Sequence, residues 1–159
     1  MARPTKLTVN IKNLLKLERV LIINEHIEKP DLIAKLIGKI TADYPSLDAE
    51  FLIQKITQRE QGISTTLDTG LSIPHARIEG IDNFIIALAV ISEGVIDPAS
   101  PGAPIKVMML FLSPADASFF QKHLQLLSIL SSKFQPEFIE KLTSLKTAAQ
   151  VLHAVAEES

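Results

Sequence analysis

The chain has no cysteine, and the side chains best suited to nucleophilic chemistry near neutral pH are its four histidines, His26, His75, His123 and His153. Neutral imidazole is a competent nucleophile there, its unperturbed pKa being about 6.5. His75 closes the run Gly70-Leu-Ser-Ile-Pro-His75, after a polar stretch (62–72) that holds two glycines and has no regular period. Pro74 stiffens the backbone just before it. Two readings are open on that basis: a nucleophile at the end of a functional loop, or a strand-end histidine bonded to a nearby carbonyl. His123 has Phe119, Phe120, Leu126, Leu127 and Leu130 at helical spacing, so it turns partly toward a core. It is either a satisfied buried histidine or a partner of His75. Arg59 precedes the polar stretch. It is a surface charge near a helix C-terminus or, in a phosphoryl site, a source of forked donors. His26 and His153 read as solvated.

Other chemistries lack their motifs. His75, His123 and an acid such as Asp68 could bind zinc, but no His-x-x-x-His spacing supports a metal site. There is no Gly-x-Ser-x-Gly elbow, no Walker loop and no Gly-x-Gly-x-x-Gly. No cofactor and no metal are expected.

The elements that must position these residues follow from periodicity. Leu7, Val9 and Ile11 alternate with polar residues, which predicts a short half-buried strand or extended lead-in. Val20 to Ile23 reads as a buried strand. Pro30 and Asp31 suit the start of a helix whose apolar face is Leu32, Ile33, Leu36, Ile37 and Ile40. Ser46 is the expected cap of a second helix, with Ala49, Leu52, Ile53 and Ile56 as its stripe and Gly62 just beyond its end. Ile73 to Ala76 reads as a short strand or strand edge, because Pro74 cannot donate to a ladder. The unbroken apolar runs Phe84–Ile91 and Val107–Leu112 predict strands covered on both faces. Residues 97–104 form a crossing loop. A helix is expected from about Ala115 to Phe134 with Phe120, Leu124, Leu127 and Leu130 inward. A short one starts at Pro136, holding Phe138, Ile139 and Leu142. A last one is capped by Thr147 and Gln150 at capping-box spacing. Strands followed by three helices give an α/β class, a three-layer α/β/α sandwich.

With 159 residues, 47% hydrophobic and 21% charged, the chain is expected to form one domain, 1–159, with a full core. The net charge of -2 supplies no basic patch, so neither nucleic acid nor direct membrane insertion is expected. The first residues are polar and no apolar run is long enough to span a bilayer, which suggests a cytoplasmic protein.

Arg59-Glu-Gln-Gly-Ile-Ser-Thr65 in register with Gly70-Leu-Ser-Ile-Pro-His75 resembles the type 2 (fructose–mannitol) enzyme IIA of the bacterial phosphoenolpyruvate-dependent sugar phosphotransferase system. The nitrogen-regulatory IIA proteins belong to the same family. The likeness continues through Pro104-Ile105, Pro114 and His123-Leu-Gln-Leu-Leu127, so its core runs from about 7 to 156. The resemblance implies a three-layer α/β/α fold around a small mixed sheet, with His75 as phosphoacceptor through Nε2. It also makes His123 the second active-site histidine, bonding and orienting the phosphoryl group, and Arg59 the stabilising charge. The implied donor is an HPr-like phosphocarrier protein. The implied output is a regulatory target or, in sugar uptake, a IIB protein; a binding module with a decayed site is a third reading. Departures are Thr66-Leu-Asp-Thr69 where the family has Gly-Ile-Gly-Asn, Ser72 for alanine, Pro101 for aspartate, and a longer spacer between Pro114 and His123. If Asp68 faced the site, it would repel a phosphoryl group.

Overall fold

The computed structural model describes residues 9–62, 66–99 and 101–157. Leu7, Ser64 and Thr65 lie outside the described residues. The elements are α1 (Ile11–Leu14), a 3-10 turn at Leu17–Arg19, β1 (Val20–Ile23), α2 (Lys29–Asp43), α3 (Ala49–Gly62), β2 (Leu71–Ser72) and β3 (His75–Ile78). They continue as β4 (Ile85–Val95), β5 (Ile105–Pro114), a 3-10 turn at Ala117–Phe119, α4 (Phe120–Lys133), α5 (Pro136–Thr143) and α6 (Ala148–Glu157).

The five strands form one mixed sheet in the order β1-β4-β5-β2, with β3 also on β5. β1 runs parallel to β4, β4 antiparallel to β5, and both β2 and β3 parallel to β5. The two apolar runs are therefore the central strands, and each is covered twice. Ile86, Leu88, Val90, Val107, Met109 and Phe111 meet residues of α1, α4, α5 and α6 on one face. Ile85, Ala87, Ala89, Met108, Leu110 and Leu112 meet α2 and α3 on the other. Fully burying each Leu, Ile or Phe contributes about 1.5–3 kcal/mol, so this double cover fixes strand register. The expected three-layer α/β/α sandwich is what forms.

Local signals mostly hold, with three corrections. Ile11 opens a short helix, capped by the Asn10 side chain, rather than continuing a strand; Val9 and Ile11 are buried all the same. Asp48, not Ser46, caps α3, accepting the Glu50 N–H at 3.0 Å. On α4, Phe120 and Leu124 are about half exposed, while His123, Leu126 and Leu130 are buried. Apolar residues line more than one side of α4, so the stripe could be drawn in two rotations. The capping box of α6 is reciprocal: Gln150 N–H donates to Thr147 Oγ1 at 3.1 Å, and Gln150 Oε1 accepts the Thr147 N–H at 3.1 Å.

Pro74 breaks the edge into β2 and β3, both on β5, as its missing N–H requires. Before the break, residues 67–70 make a tight turn. Leu67 N–H donates to Leu71 O at 2.7 Å, and Gly70 takes φ 98, a conformation open to glycine.

A buried polar cluster ties α2, α3 and the segment after β4 together. Lys29 Nζ donates to Glu60 Oε1 at 2.8 Å and to Asp97 Oδ2 at 2.9 Å. Burial alone pushes the Lys29 pKa down, but its bonds to the two carboxylates outweigh that and hold it above the ordinary value. Lys29→Met deprives two buried carboxylates of this cation, and we expect a loss of about 3–5 kcal/mol in urea unfolding at neutral pH. A loss no larger than a surface ion pair gives, about 0–1 kcal/mol, would show that the cluster contributes little.

Candidate active site

His75 is the first residue of β3, placed at the sheet edge by the proline break. It is 3% exposed, and its ring stacks on that of Phe111, its register partner on β5, at 5.0 Å and 7°. Nδ1 lies 2.7 Å from Ile73 O. A carbonyl only accepts, so Nδ1 carries the proton. Arg59, in the last turn of α3, donates Nε–H to His75 Nε2 at 3.2 Å. A guanidinium only donates, so Nε2 is unprotonated. Both neighbours select the same neutral tautomer, with the lone pair on Nε2.

Electrostatics agree. Burial pushes the His75 pKa down; the Ile73 carbonyl opposes it, Arg59 lowers it further, Glu60 opposes, and the net direction is downward. His75 is therefore neutral at neutral pH.

His123 comes from the opposite side of the edge, on α4. Its ring centroid is 5.2 Å from that of His75 and 5.4 Å from that of Phe111. Its pKa is pushed down to about 4, chiefly by burial and then by His75, Arg77 and Arg59. Its Nδ1 is buried without a hydrogen-bond partner among the described residues, so that nitrogen leaves the tautomer unfixed.

These residues border an open cleft of about 670 Å³ lined by Lys55, Gln58, Arg59, His75, Ala76, Arg77, Phe120 and His123. Among the described residues its ionic side chains, Lys55, Arg59 and Arg77, are all cationic. The three sequence candidates, His75, His123 and Arg59, thus come together. Lys55 and Arg77 were not singled out, although spacing marks them: Lys55 is one helical turn before Arg59, and Arg77 is two strand positions after His75. Arg77 Nη2 donates to Pro114 O at 3.2 Å and Asp116 O at 2.8 Å, and its guanidinium lies 5.6 Å from the Phe120 ring centroid. Asp68 is exposed in the 67–70 turn and does not line the cleft, so the repulsion considered for it does not arise. His26 and His153 are exposed, as expected. Among the described residues no group of three or more His, Asp or Glu side chains could hold a metal ion.

Residues 13–158 match the family described as phosphoenolpyruvate-dependent sugar phosphotransferase system, EIIA 2. The chain belongs to this family. It is 25% identical to a nitrogen regulatory protein of Pseudomonas aeruginosa over 130 residues, 81% of this chain and 83% of that one. It is 30% identical to a fructose-specific EIIA component of Haloferax volcanii over 111 residues, 69% of this chain and 71% of that one. Among solved structures, IIA-Ntr of Neisseria meningitidis superposes with a TM-score of 0.79 at 26% identity, covering 91% of this chain and 98% of that one. Family membership makes the chain a phosphotransferase-system component and agrees with the sheet and layers described above.

The depressed imidazoles give a signed prediction. In the unfolded chain His123 takes up a proton near its ordinary value of 6.5, and in the fold only near 4. Between those values the unfolded state binds more protons, so stability is full above the upper value and is lost as pH falls through the window. His75 acts in the same direction. We expect urea midpoints to fall across this window and the fall to be shallower in His123→Gln. An unchanged slope in that variant would show that His123 titrates normally.

Proposed function

We propose that His75 accepts a phosphoryl group on Nε2 from the phosphohistidine of an HPr-like phosphocarrier protein and holds it for transfer or as a signal. The observation that carries this reading is the doubly fixed tautomer, which presents the Nε2 lone pair at a cationic cleft. The lone pair attacks phosphorus, the donor's nitrogen–phosphorus bond breaks, and the donor imidazole leaves with that electron pair. No metal or nucleotide is needed, because the donor is already activated. Positioning and charge neutralisation supply the catalysis. Arg59 must leave Nε2 as the new bond forms. Its guanidinium then meets the phosphoryl oxygens, where forked donors are strongest. His123, which lines the same cleft, presents an N–H to one of those oxygens.

The output we infer is regulatory: a protein partner reads the charge added at His75. The likeness to nitrogen-regulatory proteins over most of the chain supports this. Transfer to a IIB protein in sugar uptake is the second reading, favoured by the fructose-specific relative. No described helix is long and apolar enough to cross a membrane.

Incubation with enzyme I, HPr and labelled phosphoenolpyruvate should place acid-labile label on the wild type and none on His75→Ala. An unlabelled wild type overturns the phosphocarrier reading; label on His75→Ala moves the site elsewhere. Arg59→Gln should slow transfer by on the order of 10²-fold, the scale for losing one electrostatic donor. His123→Ala should slow it by at least about tenfold while circular dichroism stays native. Unfolding of that variant would assign His123 to the core instead.

A further inference from the structure

Glu60 adjoins Arg59 in the chain, Ser72 adjoins Ile73, whose carbonyl holds His75, and one buried cluster reaches both Glu60 and Ser72. On one arm, Lys29 Nζ holds Glu60 Oε1 at 2.8 Å, one residue from Arg59. The same Nζ holds Asp97 Oδ2 at 2.9 Å. That oxygen also accepts the Thr66 hydroxyl at 2.6 Å. On the other arm, Thr66 Oγ1 lies 3.3 Å from Ser72 Oγ, and the two residues form an antiparallel bridge. With the Thr66 proton committed to Asp97, the Ser72 hydroxyl is the donor in that contact. Ser72 precedes Ile73, whose carbonyl takes the His75 Nδ1–H at 2.7 Å.

Burial makes this cluster firm. Lys29 and Glu60 are each 8% exposed, Asp97 2% and Ser72 0%. None of the five lines the cleft. Charge-assisted bonds in such a setting are short and stiff, and partly breaking the set leaves an under-satisfied buried carboxylate. Thr66 joins the two arms. Thr66 and Ser72 also stand where the family pattern has glycine and alanine, neither of which carries a hydroxyl to close this link.

We propose that Thr66 is a positioning residue for phosphoryl transfer. Its hydroxyl clasps the Lys29–Glu60–Asp97 cluster to Ser72, and so holds Arg59 Nε and Ile73 O in register about His75, keeping Nε2 the unprotonated nitrogen. The proposal rests on the phosphocarrier reading of His75. It makes Thr66, one of the departures from the family pattern, a support of the site rather than a sign of decay.

The test compares Thr66→Val, which keeps shape but removes the hydroxyl, with Thr66→Ser, which restores it. Two quantities are read: the imidazole 15N shifts of His75 at neutral pH, which report its tautomer, and the kinetics of label transfer from phosphorylated HPr. Thr66→Val should show a mixed His75 tautomer and a kcat lowered by about tenfold, in keeping with a small misplacement of reacting groups, with KM unchanged because no residue lining the cleft is replaced. Thr66→Ser should recover both. A Thr66→Val protein with wild-type tautomer and kcat, whatever its stability, overturns the proposal. So does a rise in KM alone, or failure of Thr66→Ser to rescue. The 15N measurement needs no phosphate donor, so an unlabelled wild type with an altered Thr66→Val tautomer would sink the phosphocarrier reading while leaving the clasp.

Discussion

The hydrogen bond from His75 Nδ1 to the Ile73 carbonyl, 2.7 Å long, is the constraint on which the site depends. It sets which nitrogen can act as a nucleophile, and it exists because the chain is interrupted between the two residues. Pro74 has no N–H to donate, so the edge splits into β2 and β3. The split brings an imidazole back onto a carbonyl two residues earlier. Phe111 then fixes the ring plane by stacking, and Arg59 takes up the remaining nitrogen. An ordinary edge strand through this region would offer a histidine whose tautomer water could choose.

That local arrangement is only as stiff as the sheet beneath it. β3 is held on one side alone, by β5, and β5 is held by burial on both faces. The layers also deliver the other groups: α3 brings Arg59 from one face and α4 brings His123 from the other. A site assembled at a sheet edge from both helical layers is open to another protein. At the same time the His75 ring remains nearly buried.

How much of this was legible in the sequence follows from the range of each interaction. The two central strands were plain, since double cover leaves a continuous apolar run. The α6 capping box was plain because all its atoms lie within four residues. His75, Arg59 and His123 were individually ambiguous, and only their joint register with a family pattern singled them out. The rotation of α4 was misread because apolar residues at 119, 120, 124, 126, 127, 129 and 130 satisfy more than one stripe. The Lys29–Asp97 pair spans 68 positions and has no local signature, so nothing in the sequence marked either residue. The same holds for the Thr66–Asp97 bond. Thr66 was noticed only as a departure, and its role became visible once the loop was closed onto β2.

The charge layout reconciles two demands that oppose each other. A phosphoryl group on His75 would bring negative charge into the cleft, which calls for cations there. A nucleophilic imidazole must nevertheless be neutral before transfer. Lys55, Arg59 and Arg77 line the cleft, and among the described residues no carboxylate does. These cations do not compromise the neutrality of the rings; Arg59 and Arg77 are among the causes that depress the His123 pKa, and Arg59 lowers that of His75. Burial is the main cause that keeps both histidines unprotonated, and charges that would receive the phosphoryl oxygens add to it, Arg59 at both rings and Arg77 at His123. Once phosphate is bound, its negative charge would oppose that depression, favouring an N–H on His123 when an acceptor oxygen is within reach. Glu60, held below by Lys29, tempers the effect on His75 from the buried side. Glu60 and Asp97 are thus kept in the buried cluster, where they hold parts in place without lining the cleft that would receive the phosphoryl group.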